Sequence, residues 1–65
     1  MPEAKFEIWY EYNVYEEDED ICDFEIFVGT FEKLVERMKQ LESEYHCWSV
    51  CAEFYLRDIP LKLYI

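Results

Sequence analysis

Between Phe6 and Val14 the side chains alternate without a break, with Phe6, Ile8, Tyr10, Tyr12 and Val14 in one register and Glu7, Trp9, Glu11 and Asn13 in the other. A period of two is the signature of a strand with one face on a core and one face in water. Such a strand cannot bury its apolar side alone, so the rest of the chain must supply neighbouring strands and a covering layer. A second alternating stretch sets Cys22, Phe24, Ile26 and Val28 against Asp23, Glu25 and Phe27. The two stretches predict strands over about 5–15 and 21–28, joined as a hairpin, with Cys22 and its even-numbered companions turned to the core. The acidic run Glu16-Glu17-Asp18-Glu19-Asp20 forms the connection. It is longer than a two-residue turn and lacks Asn-Gly or Asp-Gly, so it does not pin the register.

Gly29-Thr30 then punctuates the chain, with Gly29 permitting a turn and the Thr30 hydroxyl placed to cap a helix. Phe31, Leu34, Val35, Met38, Leu41 and Tyr45 recur at helical spacing among charged residues, which predicts an amphipathic helix over 31–45 with one stripe on the sheet. Alternation resumes with His46, Trp48, Val50, Ala52, Phe54 and Leu56 on the core side of a third strand, about 46–57. Asp58-Ile59-Pro60 supplies a turn, and Leu61, Leu63 and Ile65 make a short fourth strand, 61–65. The expected fold class is α+β: a single small domain over 1–65, ordered ββαββ, with a mainly antiparallel four-stranded sheet and one helix packed on one face. Two strand orders satisfy this pattern. Order 2-1-4-3 would bring the last strand beside the first, as in a β-grasp; order 2-1-3-4 is wholly antiparallel and leaves a short edge strand blunted by Lys62. The second is the order we favour.

Sixty-five residues leave room for one core and no separate substrate-binding domain. The 16 acids against 6 bases, a net charge of -10, would suggest disorder in a chain poor in apolar residues, but here 52% are hydrophobic and 20% aromatic. The charge excludes two classes of partner. Anionic membrane surfaces and bare DNA or RNA both require Lys and Arg that are scarce here. The longest apolar run is far short of the roughly 20 residues of a membrane span, and Met1-Pro2-Glu3 lacks the layout of a signal peptide. Cys22, Cys47 and Cys51 cannot all pair within one chain, so a reducing, cytoplasmic setting is expected, the host cytoplasm if the protein is viral.

No catalytic, cofactor or metal site is expected. In a strand, Cys47 and Cys51 stand about 13 Å apart, beyond the reach of a disulfide. His46 falls at the helix end, where a capping or packing role outweighs ligation with Cys47. A Cys51–His46 catalytic pair would need both on one face, and odd and even positions oppose that. The loop from Glu16 to Asp20 lacks the Gly that a calcium loop needs for its sharp turn, and the carboxylates lack an apolar pocket that would tune one for acid–base work. A chain with a single Gly holds no phosphate-cradling loop.

The distribution of charge says more than its total. Residues 1–25 hold ten acids and one base, Lys5, a net of -9, whereas residues 26–65 are close to balance. Glu7, Glu11, Glu16, Glu17, Asp18, Glu19, Asp20, Asp23 and Glu25 are expected to form one electronegative lobe. Interleaved on the outer face are the expected contact aromatics Trp9, Phe27, Tyr55 and Tyr64, with Tyr15 near the hairpin end. Large aromatics left in water mark interfaces, and among carboxylates the complement is a basic protein. The composition is similar to that of small virus-encoded or mobile-element proteins that mimic nucleic-acid charge and block restriction, repair or CRISPR effectors, an analogy of class that covers only the acidic first half. It implies a non-enzymatic inhibitor of the antirestriction or anti-CRISPR type, seated on the basic nucleic-acid site of a host enzyme. The alternative is a homodimeric structural or regulatory protein that closes its aromatic face on a second copy.

Overall fold

Two strands of equal length make the longest feature of the molecule. The computed structural model describes residues 3–65, and within it β1, Ala4–Val14, and β2, Glu19–Gly29, pair antiparallel along their whole length, from Ala4 opposite Gly29 to Val14 opposite Glu19. A 15-residue helix α1, Phe31–Tyr45, crosses one face of the sheet, and β3, Ser49–Leu56, and β4, Ile59–Tyr64, complete the order ββαββ. The sheet runs β2-β1-β3-β4 with every neighbouring pair antiparallel. This is the small α+β fold expected, in the favoured strand order.

The core lies between the helix and the two central strands. Phe6, Ile8 and Tyr10 of β1, Val50 and Ala52 of β3, and Leu34, Met38 and Leu41 of α1 form it, so the predicted inward register of β1 and the middle of the helical stripe are both realised. Phe31 and Tyr45, at the two ends of that stripe, are half in solvent. The helix starts as the sequence predicts: Thr30 accepts a hydrogen bond on Oγ1 from the Lys33 amide at 3.3 Å. It ends where His46 adopts left-handed backbone angles (φ 53, ψ 48) and its N–H bonds the Glu42 carbonyl.

Five expectations need correction. The register of the first hairpin turns Cys22, Phe24, Ile26 and Val28 away from the helix and puts Ile21, Asp23, Glu25 and Phe27 on its side, because Phe6 stands opposite Phe27, Ile8 opposite Glu25 and Tyr10 opposite Asp23. Residues paired across an antiparallel ladder share a face, so β1 dictates the orientation of β2 whatever the apolar content of each side. The acidic run is not all loop: only residues 15–18 connect the strands, and Glu19 and Asp20 belong to β2. The third strand begins at Ser49, leaving His46 and Trp48 exposed on the connection instead of in the core. Finally, the last turn is Arg57-Asp58, both at positive φ (49° and 69°), with Ile59 and Pro60 already in β4. Pro60 is tolerated because β4 is an edge strand. Gly29 serves a different need from the one expected: its φ is not left-handed, and what it supplies is room, since a Cβ there would sit 2.9 Å from the Phe27 ring.

Candidate functional site

β3 pairs with β1 only from Glu7 to Glu11, and the helix ends with the Tyr45 ring stacked on Tyr12 at 4.8 Å. Beyond Tyr12 the first hairpin therefore runs on as a two-stranded arm without helix or third strand beside it. Glu16, Glu17 and Asp18 sit in its turn, with Glu19 and Asp20 just inside β2 and Tyr15 92% exposed. Backbone bonds from Glu17 N to the Val14 carbonyl (3.1 Å) and from Asp18 N to the Tyr15 carbonyl (3.4 Å) close the turn. Asp18 takes φ 48, a conformation Asp tolerates better than most residues. Asn13 Nδ2 donates to Asp20 Oδ1 at 3.0 Å and ties the strands side by side. The arm thus presents five carboxylates from a defined hairpin, not a loose tail.

The root of the arm is a cluster of tyrosines on the helix side. Tyr10 lies 5.4 Å from Tyr45 and 6.0 Å from Tyr12 between ring centroids. Burial, then the neighbouring Asp23 carboxylate, pushes the Tyr10 phenol up to about 12, and the same two causes raise Tyr12. One strand pair further along, Glu25 accepts from Arg37 Nε and Nη2, both at 2.8 Å. This two-point contact fastens the outer strand of the arm to the helix and holds the guanidinium firmly protonated.

The opposite face of the sheet has no covering layer among the described residues. Trp9 stacks on Phe24 with centroids 4.8 Å apart, and beside Phe24 run Ile26 and Val28, 47% and 62% exposed. Tyr55 and Tyr64 stand exposed on β3 and β4 of the same face, and Cys51 is buried between Trp9 and Tyr64 in the ladder. Carboxylates are set among these groups. Glu7 and Glu53 are directly opposite across β1 and β3, and Lys62 reaches Glu53 at 3.3 Å. Glu11 continues the row towards the acidic arm.

Of the residues singled out in the sequence, Glu7, Trp9, Glu11 and Tyr55 share the outer face, and Tyr15, Glu16, Glu17, Asp18, Glu19 and Asp20 make the arm. Asp23, Glu25 and Phe27 do not join them. They lie on the helix side, where Phe27 packs against the core and Glu25 is held by Arg37. In their place stand Phe24, Ile26 and Val28, which the sequence pattern directs to the core. The signal that could have found them is the hairpin pairing itself, which the sequence leaves unpinned.

The thiols form no reactive constellation. All three cysteines are free. Cys22 is exposed on the outer face rather than facing inward, and Cys47 lies on the connection before β3 rather than within it. Cys47 lines an open cleft of about 270 Å³ with Glu42, Trp48, Ser49, Val50 and Ile65. There its Sγ lies 3.4 Å from the Leu41 carbonyl, and burial followed by the Glu42 charge pushes the thiol up, away from the thiolate that nucleophilic or metal chemistry needs. No group of three His, Cys, Asp or Glu able to hold a metal ion occurs among the described residues. No helix among them is long and apolar enough to cross a membrane. Comparison with protein-family models, with curated proteins and with solved structures finds no match to this chain.

Proposed function

We propose that this protein is a non-enzymatic inhibitor that docks on the basic nucleic-acid-binding site of a protein partner, in the manner of virus- or mobile-element-encoded antirestriction and anti-CRISPR proteins, and that it works in the host cytoplasm. The observation that carries the reading is the continuity of the acidic arm with the uncovered outer face. Glu11 leads from the Trp9–Phe24 stack towards the carboxylates of the turn, and Glu7 flanks the stack on its other side. The arm attracts a basic groove over distance, and the stacked aromatics and the aliphatic row of β2 exclude water once contact is made. A Lys/Arg-rich groove also carries the alkyl stems and guanidinium planes that pack on such rings.

The same geometry weighs against closing this face on a second copy. In a face-to-face dimer the central strands would meet, and Glu7 and Glu11, which are in neither of the ion pairs found among the described residues, would be buried among like charges at a large desolvation cost. A basic partner neutralises those groups.

The test uses affinity capture from a host lysate followed by competition. A recovered partner should be a nucleic-acid-binding protein, and its DNA or RNA ligand should displace this chain. Replacing Glu16, Glu17, Asp18, Glu19 and Asp20 by Asn and Gln should slow association and flatten its salt dependence between about 50 and about 300 mM. Trp9→Ala should instead speed dissociation, with a loss of about 2 kcal/mol if the ring is a hot spot. Tight binding to bare nucleic acid, or a partner indifferent to its nucleic-acid ligand, contradicts the proposal.

A further inference from the structure

The end of the molecule opposite the acidic arm is also an overhang, of contrary character. β3 stops pairing with β1 after Glu53; the Phe54 ring still packs on Phe6 at 5.4 Å, and beyond it Tyr55 and Leu56, the turn Arg57-Asp58 and Ile59–Leu61 project as a second two-stranded hairpin. On its helix side Leu56 is 60% and Ile59 58% exposed, and Leu61 is partly uncovered. The helix gives them no cover: it begins beside Gly29, at the far edge of the sheet, and runs towards the acidic arm. Charge is balanced here, with Arg57 and Asp58 adjacent in the turn and Lys62 held by Glu53.

We infer that this hairpin is the contact through which two copies of the chain associate, by packing the Leu56, Ile59 and Leu61 strips of both protomers against one another about a two-fold axis. The occupant follows from charge. A chain of net charge -10 resists meeting itself, and the least opposed arrangement joins the neutral ends and sends the acidic arms outwards. The molecule is 41 Å long, and the arms lie at the other end of that axis, so in such a dimer they are separated by several times the roughly 8–10 Å over which charges interact at ordinary ionic strength. A two-fold contact needs a patch that complements itself, which an apolar strip with balanced flanks does and the acidic outer face does not. The strip is short, three aliphatic side chains from each protomer, so the association is expected to be reversible and concentration-dependent. The inference does not depend on the proposed inhibition; if both hold, the dimer presents two inhibitory faces.

Sedimentation equilibrium of the full chain over a concentration series tests it. The expected result is a weight-average mass that rises from 8.1 kDa towards twice that value, with little change between low and high salt. Leu56→Asp and Ile59→Asp, both at exposed positions, should each weaken association at least tenfold while the circular dichroism spectrum is unchanged. Phe24→Asp on the outer face and neutralisation of the acidic turn should leave the dimer as it was. A chain that stays at 8.1 kDa throughout overturns the inference, and so does a dimer that survives both hairpin variants or is abolished by Phe24→Asp. Should a hairpin variant misfold, Ile59→Ser, which removes the apolar contact without adding charge, carries the same comparison.

Discussion

The two overhanging hairpins are built alike and dressed in opposite ways. Each extends past the region where β1 and β3 pair and ends in a short turn that uses positive φ at non-glycine residues, Asp18 in one and Arg57-Asp58 in the other. The first carries five acids around its turn and is fastened to the helix by Glu25 and Arg37. The second is neutral and apolar, and no ion pair to the helix holds it among the described residues. The difference teaches that the central layer supplies the fold, and that the ends are free to specialise in charge or in apolar contact.

The harshest way to break this comparison is to remove the layer the two ends share. Met38 is fully buried between helix and sheet, and Met38→Ala should cost about 2–5 kcal/mol, with amide exchange rising in both hairpins together. Protection that persisted in one hairpin would mean that the ends do not depend on a common core. High pH separates them more gently. Tyr10 is held neutral, near 12, in the folded chain, whereas an unfolded tyrosine ionises near about 10. The stability this confers is complete below about pH 10 and is lost as pH climbs to about 12. Alkaline unfolding should begin at the root of the acidic arm, and Tyr10→Phe should move its onset upward.

Smaller changes sharpen the contrast. Arg57 and Asp58 both occupy the left-handed region that a two-residue hairpin turn demands. Arg57→Asn combined with Asp58→Gly should therefore stabilise the apolar end by about 1–2 kcal/mol, measured as a raised urea midpoint. Arg37→Met removes the fastening of the other hairpin. Its two side chains remain 33% and 28% exposed, so screening limits the loss to about 1 kcal/mol. Amide exchange should quicken in β2 and stay unchanged in β4; an equal rise in both would contradict the local role given to this pair.

Much of the fold could be read from periodicity. The β1 alternation and the Leu34, Met38 and Leu41 spacing each report a single element's own geometry, and both were correct. What could not be read was the pairing of two elements. Phe24, Ile26 and Val28 are more apolar than Asp23 and Glu25, yet the hairpin register turns them outward, because a slip of one residue exchanges the faces and no turn motif fixed it. The candidate surface inherited that error on β2 and escaped it on β1, where Glu7, Trp9 and Glu11 were placed correctly. The Arg37–Glu25 contact is hidden for the same reason, since the sequence pattern directs Glu25 to the outer face while the register places it beside the helix.

The outward row of β2 has a consequence for how this protein can be handled. It lies on an edge strand of eleven residues whose far side pairs with no other strand, and it joins exposed Phe24, Ile26 and Val28 to an open backbone ladder. That combination templates strand addition and fibril growth. The flanking carboxylates act as colloidal guards, since strands that would stack on one another must first bring Asp20, Asp23 and Glu25 together. Near the isoelectric point of about 4.3 the net charge of the whole chain, and with it the repulsion between copies, vanishes. The expected outcome is β-rich aggregation near that pH, checked by light scattering and thioflavin fluorescence across a pH series.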